Sequence, residues 1–257
     1  MIEFDNVSRS YGRKVAVDRL TLTIPPGELF AFLGPNGAGK TTTIKMLVGL
    51  LRPGAGTIRV CGHDTVTDTR QATRFIGYVP DEPYLYDKLS GREFLDFVAR
   101  MRGLSALEAE ARIARETENF GLGDFLDELT ETYSHGMKQR LIFASTLLHD
   151  PAVIVVDEPM VGLDPKSVRL VKDLLRMQTG RGVSVFMSTH TLAVAEEIAD
   201  RIGIVDCGRM DFLGTLPELQ DKLSSDHDSL EHLFLKLTDG TAGRQPRPAA
   251  SPPDPSQ

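Results

Sequence analysis

Eight consecutive residues of this sequence have the types and spacing to hold a polyphosphate. GPNGAGKT, residues 34–41, follows the pattern GxxxxGK[ST]. Gly34, Gly37 and Gly39 let the backbone turn so that its N–H groups converge on an anion. The helix expected to begin here adds the partial positive charge of its N-terminus. On this pattern Lys40 reaches the β- and γ-phosphates of a nucleoside triphosphate, and the Thr41 hydroxyl binds Mg²⁺. Pro35, Asn36, Ala38 and Thr42 complete the cradle.

A phosphate loop alone serves kinases, GTPases and helicases alike, and a second constellation narrows the chemistry. PAVIVVDEP ends an apolar run in Asp157 and Glu158. A carboxylate at a strand end facing the loop can hold Mg²⁺, commonly through water. The carboxylate beside it can polarise a water for attack on the γ-phosphate. The competing reading is a strand that stops in two solvated acids.

These side chains need elements to position them. Residues 2–7 and 15–24 read as strands, the second with Val15, Val17, Leu20, Leu22 and Ile24 in rough alternation. LFAFL (29–33) is a short apolar run of buried-strand type that leads into the phosphate loop, and a helix is expected through TTTIKMLVGLL after it. GTIRVCG (56–62) is another strand bounded by glycines. From about 83 to 150 strand signals are absent, while GREFLDFVARMRG and LSALEAEARIARETENFG have helical spacing. This stretch reads as a helical lobe inserted into an α/β core. Strand patterns return at AVIVV (152–156), VSVFM (183–187) and IGIV (202–205), with helices between them, which implies a largely parallel sheet. One domain is expected over residues 1–240. Residues 241–257 are rich in proline, glycine and polar side chains, cannot bury a core, and are expected to be disordered.

Composition excludes several function classes. At 257 residues, with 41% hydrophobic and 25% charged, the chain suits one α/β domain with an inserted lobe. A net charge of −7 lacks the basic face that nucleic acid requires, so no nucleic-acid partner is expected. Cys61 and Cys207 belong to no CxxC pair or Cys/His cluster, and both read as reduced thiols rather than metal ligands. Early acidic residues in MIEFDNVSRSYGRK argue against a signal peptide. No run reaches the roughly 18 apolar residues of a membrane helix. A cytoplasmic chain that meets a membrane only through a partner is expected.

Up to the tail, the sequence resembles the ATPase subunit of an ATP-binding cassette (ABC) transporter. YSHGMKQR (133–140) is similar to the family signature, usually LSGGQ, and its following basic stretch. Carried over, Ser134 and Gly136 face the γ-phosphate bound by a second protomer. From the residues alone, Ser134 is a helix N-cap whose helix dipole points at an anion, and a cap on an ordinary helix is the competing reading. His135 and Met137 depart from the usual glycine and glutamine. GLDP (162–165) is similar to the loop that passes between protomers, and it also reads as a helix start with Asp164 as N-cap and Pro165 first in the helix. His190, just past VSVFM, matches a histidine that contacts the γ-phosphate and holds the attacking water. Tyr11 matches an aromatic that stacks on adenine, with an exposed turn tyrosine as the alternative. Asp81 stands where the family has a glutamine that reaches Mg²⁺. It could still bind Mg²⁺ through oxygen, but when ionised it cannot donate a hydrogen bond.

The resemblance implies an α/β fold: a P-loop NTPase core with an N-terminal antiparallel β subdomain and an inserted α-helical lobe. It implies ATP and Mg²⁺ as cofactors and ATP hydrolysis that powers a membrane transporter. The PDEP and GREFL context resembles exporter-type members. Two protomers would sandwich two ATPs, with a homodimer expected and a paralogous second ATP-binding subunit as the alternative. A separate transmembrane permease would dock near Asp81 to Lys88 and hold the chain at the inner face of the cell membrane. The alternative class is a non-transport cassette of DNA repair or translation, which typically carries a long coiled coil or two cassettes in one chain. A small-molecule kinase would show no signature motif.

Overall fold

Two strands open the chain as a hairpin, β1 (Ile2–Tyr11) and β2 (Lys14–Ile24), paired antiparallel with bulges near Asn6. Alternation along β2 buries Val17, Leu20, Leu22 and Ile24 on one side. That is the outcome expected of a sheet with one covered face. The chain then runs through β3 (Leu29–Leu33) into α1 (Lys40–Leu47) and back to β4 (Ala55–Val60) and β5 (His63–Asp64). Strands β2, β1, β4 and β5, in that order, make a four-stranded sheet. The computed structural model describes residues 1–82 and 84–223; Pro83 and the segment expected to be disordered, 241–257, lie outside the described residues.

After α2 (Thr69–Arg74) and β6 (Ile76–Val79), three helices follow before the next strand: α3 (Gly91–Met101), α4 (Ala106–Phe120) and α5 (His135–Leu147). The helical spacing read from the sequence falls on α3 and α4. Ser90 and Ser105 each close a capping box, with Glu93 and Glu108, which fixes where these helices begin. The remaining elements alternate: β7 (Val153–Asp157), α6 (Pro165–Gly180), β8 (Ser184–Thr189), α7 (Leu192–Ile198), β9 (Arg201–Asp206), β10 (Arg209–Gly214) and α8 (Leu216–Leu223).

The second sheet has the order β10-β9-β3-β8-β7-β6. Its pairs are parallel except β9 with β10. Every residue of β3, β7 and β8 is buried, because both faces of this sheet are covered and a continuous apolar run is then the stable pattern. One face meets the four-stranded sheet and α1, where the Phe186 ring lies 6.1, 5.8 and 5.3 Å from those of Phe4, Phe30 and Phe32. The other face carries α3 to α7. This is the α/β core with antiparallel subdomain that the sequence implies.

Helix α1 is shorter than expected. It stops at Leu47 rather than running through Leu51, because Gly49 takes φ +77° and Leu51 N–H turns back onto Lys45 O at 2.9 Å. The topology puts four loops on one edge of the sheet: those after β3, β6, β7 and β8 all leave the carboxyl ends of parallel strands. That edge is where open α/β sheets place their ligand sites.

Candidate active site

The phosphate loop is shaped by close backbone approach. A Cβ at Gly34 would lie 2.3 Å from Val205 O, and one at Gly39 would lie 2.2 Å from Ala16 O. Gly39 also takes φ +110°, a region a side chain disfavours, and it is the cap from which α1 starts. Lys40 follows and is only 6% exposed. Its ammonium lies 2.6 Å from Gly34 O, 3.3 Å from Pro35 O and 3.3 Å from Glu158 Oε1. A lysine head drawn to carbonyls and a carboxylate at the mouth of a glycine loop occupies the place where anionic oxygens could replace those partners.

Asp157 closes β7 and is 3% exposed. Ser188 Oγ donates to its Oδ1 at 2.5 Å. Burial raises the Asp157 carboxyl above the ordinary carboxylate range, with the Glu158 charge adding to the rise, although bonds from Ser188 and Thr41 and the Lys40 charge oppose it. Glu158 comes next with φ +47°, a left-handed backbone that costs a non-glycine residue about 1–2 kcal/mol. The strain is held by two bonds from the Glu158 N–H, to Ser188 O at 3.2 Å and to Ser188 Oγ at 3.0 Å. The carboxylate so aimed spans two partners. Its Oε1 faces Lys40, and its Oε2 lies 3.0 Å from His190 Nδ1 and 3.3 Å from His190 N. With the ionised carboxylate as acceptor, Nδ1 carries the ring proton.

One cleft of about 270 Å³ gathers most of the expected residues. Tyr11, Lys14 and Ala16 line it from the antiparallel sheet, Pro35 to Gly37 and Gly39 to Thr42 line it from the loop and the start of α1, and Asp81 and Glu158 also border it. The Tyr11 ring is half exposed, with the Arg9 guanidinium 5.4 Å from its centroid. Asp81 lies above its ordinary pKa, first from burial and then from the charges of Asp157, Glu158 and Glu82, with His135 opposing. Tyr78 is pushed up to about 12 by burial and by Asp157 and Asp81. Asp81, Asp157 and Glu158 therefore crowd one border of the cleft against the buried Lys40, with Lys14 on the opposite wall, and like charges gathered in this way are what a divalent cation would relieve. No group of three His, Cys, Asp or Glu capable of caging a metal occurs among the described residues.

Ser134 and Gly136 do not line this cleft. They start α5, where Ser134 Oγ accepts from Met137 N at 3.3 Å and the Met137 sulfur accepts from Ser134 N at 3.4 Å. The Ser134 N-cap read from the sequence is thus present, and the sulfur stands in for the acid or amide as a weaker second arm of a capping box. This turn packs on its own chain's loop 161–164 and the first turn of α6. His135 Nε2 lies 3.3 Å from Val161 O, and a Cβ at Gly136 would sit 3.5 Å from Ser167 Oγ and 3.8 Å from Asp164 Oδ2. Asp164 caps α6, accepting from Lys166 N, Ser167 N and Ser167 Oγ, with Pro165 first in the helix.

Two residues of the site escape the sequence reading. Ser188 holds the Asp157 carboxylate and the Glu158 N–H, and its signal was a hydroxyl directly after the apolar run 183–187. Lys14 borders the cleft, and only its closeness to Tyr11 in sequence could have suggested it.

With the geometry in place, comparison with known proteins is informative. A protein-family model described as "ABC transporter" matches residues 17–161. The chain is similar to a daunorubicin/doxorubicin resistance ATP-binding protein of Streptomyces peucetius, 41% identical over 224 residues, covering 87% of this chain and 68% of that protein. It is likewise similar to a Nod factor export ATP-binding protein of Paraburkholderia xenovorans, 41% identical over 208 residues, covering 81% and 68%. Among solved structures it resembles an ATP-binding subunit of an ABC transporter, with a TM-score of 0.86, 32% identity and coverage of 92% and 99%. It also resembles a dimeric ATP-binding cassette in a post-hydrolysis state bound to ADP and Pi, with a TM-score of 0.77, 25% identity and coverage of 84% and 99%.

Proposed function

The chain belongs to the ABC transporter family, and from that premise we propose that it is the ATP-hydrolysing subunit of an exporter, working as a dimer on a separate permease. It is an ABC ATPase. The observation that carries the catalytic reading is the Glu158 carboxylate held between Lys40 and His190 at one border of the nucleotide-sized cleft. ATP entering the loop exchanges the carbonyl and carboxylate partners of Lys40 for its β- and γ-phosphates. Glu158, released from the lysine and still tethered to His190, accepts the proton of the attacking water as general base. His190 fixes the carboxylate's direction and stands beside the γ-phosphate. Tyr11 offers its ring to adenine. Thr41 and Asp157, with Asp81 nearby, are the oxygens that would hold Mg²⁺, which supplies charge neutralisation on the phosphates.

Ser134 and Gly136 belong to the other half of the site in this reading. Ser134 is exposed, Gly136 is half-buried and neither lines the cleft, which supports a role toward the nucleotide of a second protomer. Likeness to a dimeric cassette supports the same arrangement. The permease contact is assigned to the segment from Asp81 to Lys88. Tyr84 is 77% exposed there, and Tyr86 makes edge-on pairs with Tyr84 at 5.9 Å and with Phe97 of α3 at 5.6 Å. An apolar patch of this kind on a charged protein marks an interaction surface. No helix among the described residues is long and apolar enough to cross a membrane, so the spanning part is assigned to that permease. Relatives named for drug resistance and for Nod factor export favour export over a role in DNA repair or translation.

The test is co-expression with the candidate permease in membrane vesicles. Membrane retention of the chain and stimulation of its ATP hydrolysis above the basal rate should both depend on the permease, and Tyr84→Asp with Tyr86→Asp should release the chain and abolish the stimulation while its basal ATPase persists. A chain that sediments with membranes equally well without the permease would contradict the assignment.

A further inference from the structure

The turn between β9 and β10 lies far from the phosphate loop in sequence and touches it in space. Cys207 and Gly208 have φ +47° and +80°, the two-residue turn that matches strand twist in a tight hairpin. Gly208 N–H donates to Ala38 O in the phosphate loop at 2.9 Å, and Gly208 O accepts from Asp18 N on β2 at 2.8 Å. The Ala16 carbonyl is pressed between two glycines: a Cβ at Gly39 would lie 2.2 Å from it and one at Gly208 2.8 Å from it. Ala16 itself lines the nucleotide cleft. Arg209 then closes the joint. Its Nε and an Nη donate to Asp18 Oδ2 at 2.8 and 2.6 Å. Burial alone would raise the Asp18 carboxyl, but the Arg209 bonds and charge, with Arg19, bring it below the ordinary value.

Resting on the nucleotide site proposed above, we infer that this hairpin turn sets the span between the base wall of the cleft and its phosphate loop. Arg209, Gly208 and Asp18 are positioning residues for ATP and touch no ligand themselves. The physical reason is that the cleft has two walls from different sheets. Tyr11, Lys14 and Ala16 ride on β2 and its hairpin, and the phosphate cradle rides on β3 and α1. A nucleotide that bridges the walls binds best when their separation matches it before it arrives. The turn holds both walls at once, through Asp18 on one side and Ala38 on the other.

The inference separates ligands that use both walls from a ligand that uses one. ATP uses both, and inorganic tripolyphosphate uses the phosphate loop alone. In the full chain, Arg209→Met removes the two bonds and keeps the bulk. It should weaken ATP binding by about threefold to tenfold, the loss expected for a charge-assisted pair. Tripolyphosphate affinity, read by displacement of a fluorescent nucleotide from the intact loop, should stay within about twofold, and so should kcat at saturating ATP. Arg209→Lys should recover part of the ATP affinity. Asp18→Asn combined with Arg209→Met should be no weaker than the worse single change, because both report one interaction. Equal weakening of ATP and tripolyphosphate would overturn the inference, since the turn would then support only the loop. Unchanged ATP affinity in Arg209→Met would overturn it as well. Failure of the unmodified chain to bind ATP competitively with tripolyphosphate would instead overturn the nucleotide site, and this inference with it.

Discussion

Lys40 and Glu158 have side chains only 6% and 13% exposed and meet at 3.3 Å, whereas Ser134 and His135 stand exposed on a turn that packs on loop 161–164 and the first turn of α6. The two regions carry complementary parts of one expected chemistry and are built differently. Around Lys40 the chain supplies its own counter-charges, and Ser188 holds the strained Glu158 in place. Around Ser134 the chain provides a cap and a helix dipole with no ligand of its own to face. A region whose polar groups already answer one another can do part of the reaction within one chain. A region with an exposed helix start fits half of an interface, and it is on this difference that the proposed sharing of the site between two chains rests.

The largest effect belongs to the self-contained region. Glu158→Gln keeps the size and removes the base, so ATP should still bind while hydrolysis falls at least about a hundredfold. Steady-state phosphate release checks this, and turnover within threefold of the unmodified protein would take the role of base away from Glu158. The exposed region should behave differently. Ser134→Arg should cut hydrolysis by about tenfold or more, since it removes transition-state contacts, while nucleotide binding to dilute, monomeric chain stays within about twofold. Equal loss of binding in the monomer would place Ser134 in its own chain's cleft and erase the contrast between the regions.

Ser188→Ala sharpens the comparison from inside the first region. It strips a bond from Asp157 and another from the Glu158 N–H, so kcat should fall by about tenfold with little change in KM for ATP. A rise in KM alone would mean that Ser188 supports binding and not the aim of the base. The smallest effect is on stability. Asp157 is held above its ordinary pKa, so the folded chain takes up its proton more readily than the unfolded chain, and the ionised group weakens the nucleotide-free fold. Asp157→Asn should therefore raise the Tm of the nucleotide-free protein by about 2–4 °C at neutral pH while removing Mg²⁺-dependent nucleotide binding. The gap should narrow as pH falls through the raised pKa of Asp157, since the unmodified side chain is then neutral too. A gap that widens at lower pH would reverse the sign and contradict the argument.

The parts legible in the sequence were those written in adjacent residues. The phosphate loop, the Asp157–Glu158 pair and the apolar runs at 29–33, 152–156 and 183–187 are contiguous, and the strands fall within about two residues of them. The α1 end was misjudged because the glycine at 49 reads as tolerable inside an apolar helix until its positive φ is known. The two-residue β5, the edge strand β10 and helix α8 give too little periodic signal to stand out. What the sequence could not show is the wiring between distant segments. Ser188 reaches Asp157 across 31 positions, Glu158 reaches His190 across 32, and Arg209 reaches Asp18 across 191. Nor does any residue type announce that Glu158 takes a left-handed backbone.

The central claim is that the site is shared between two chains. The measurement is ATP trapped per dimer, with Glu158→Gln in every chain to stop hydrolysis. Chains carrying Lys40→Ala are mixed with chains carrying Ser134→Arg. In the mixed dimer one site pairs the two damaged parts and the other pairs two intact ones. The account predicts about one trapped ATP per mixed dimer, half of the two that a symmetric pair of intact sites holds, and little in either homodimer. Trapping in the Ser134→Arg homodimer equal to that of the Glu158→Gln protein alone would contradict it.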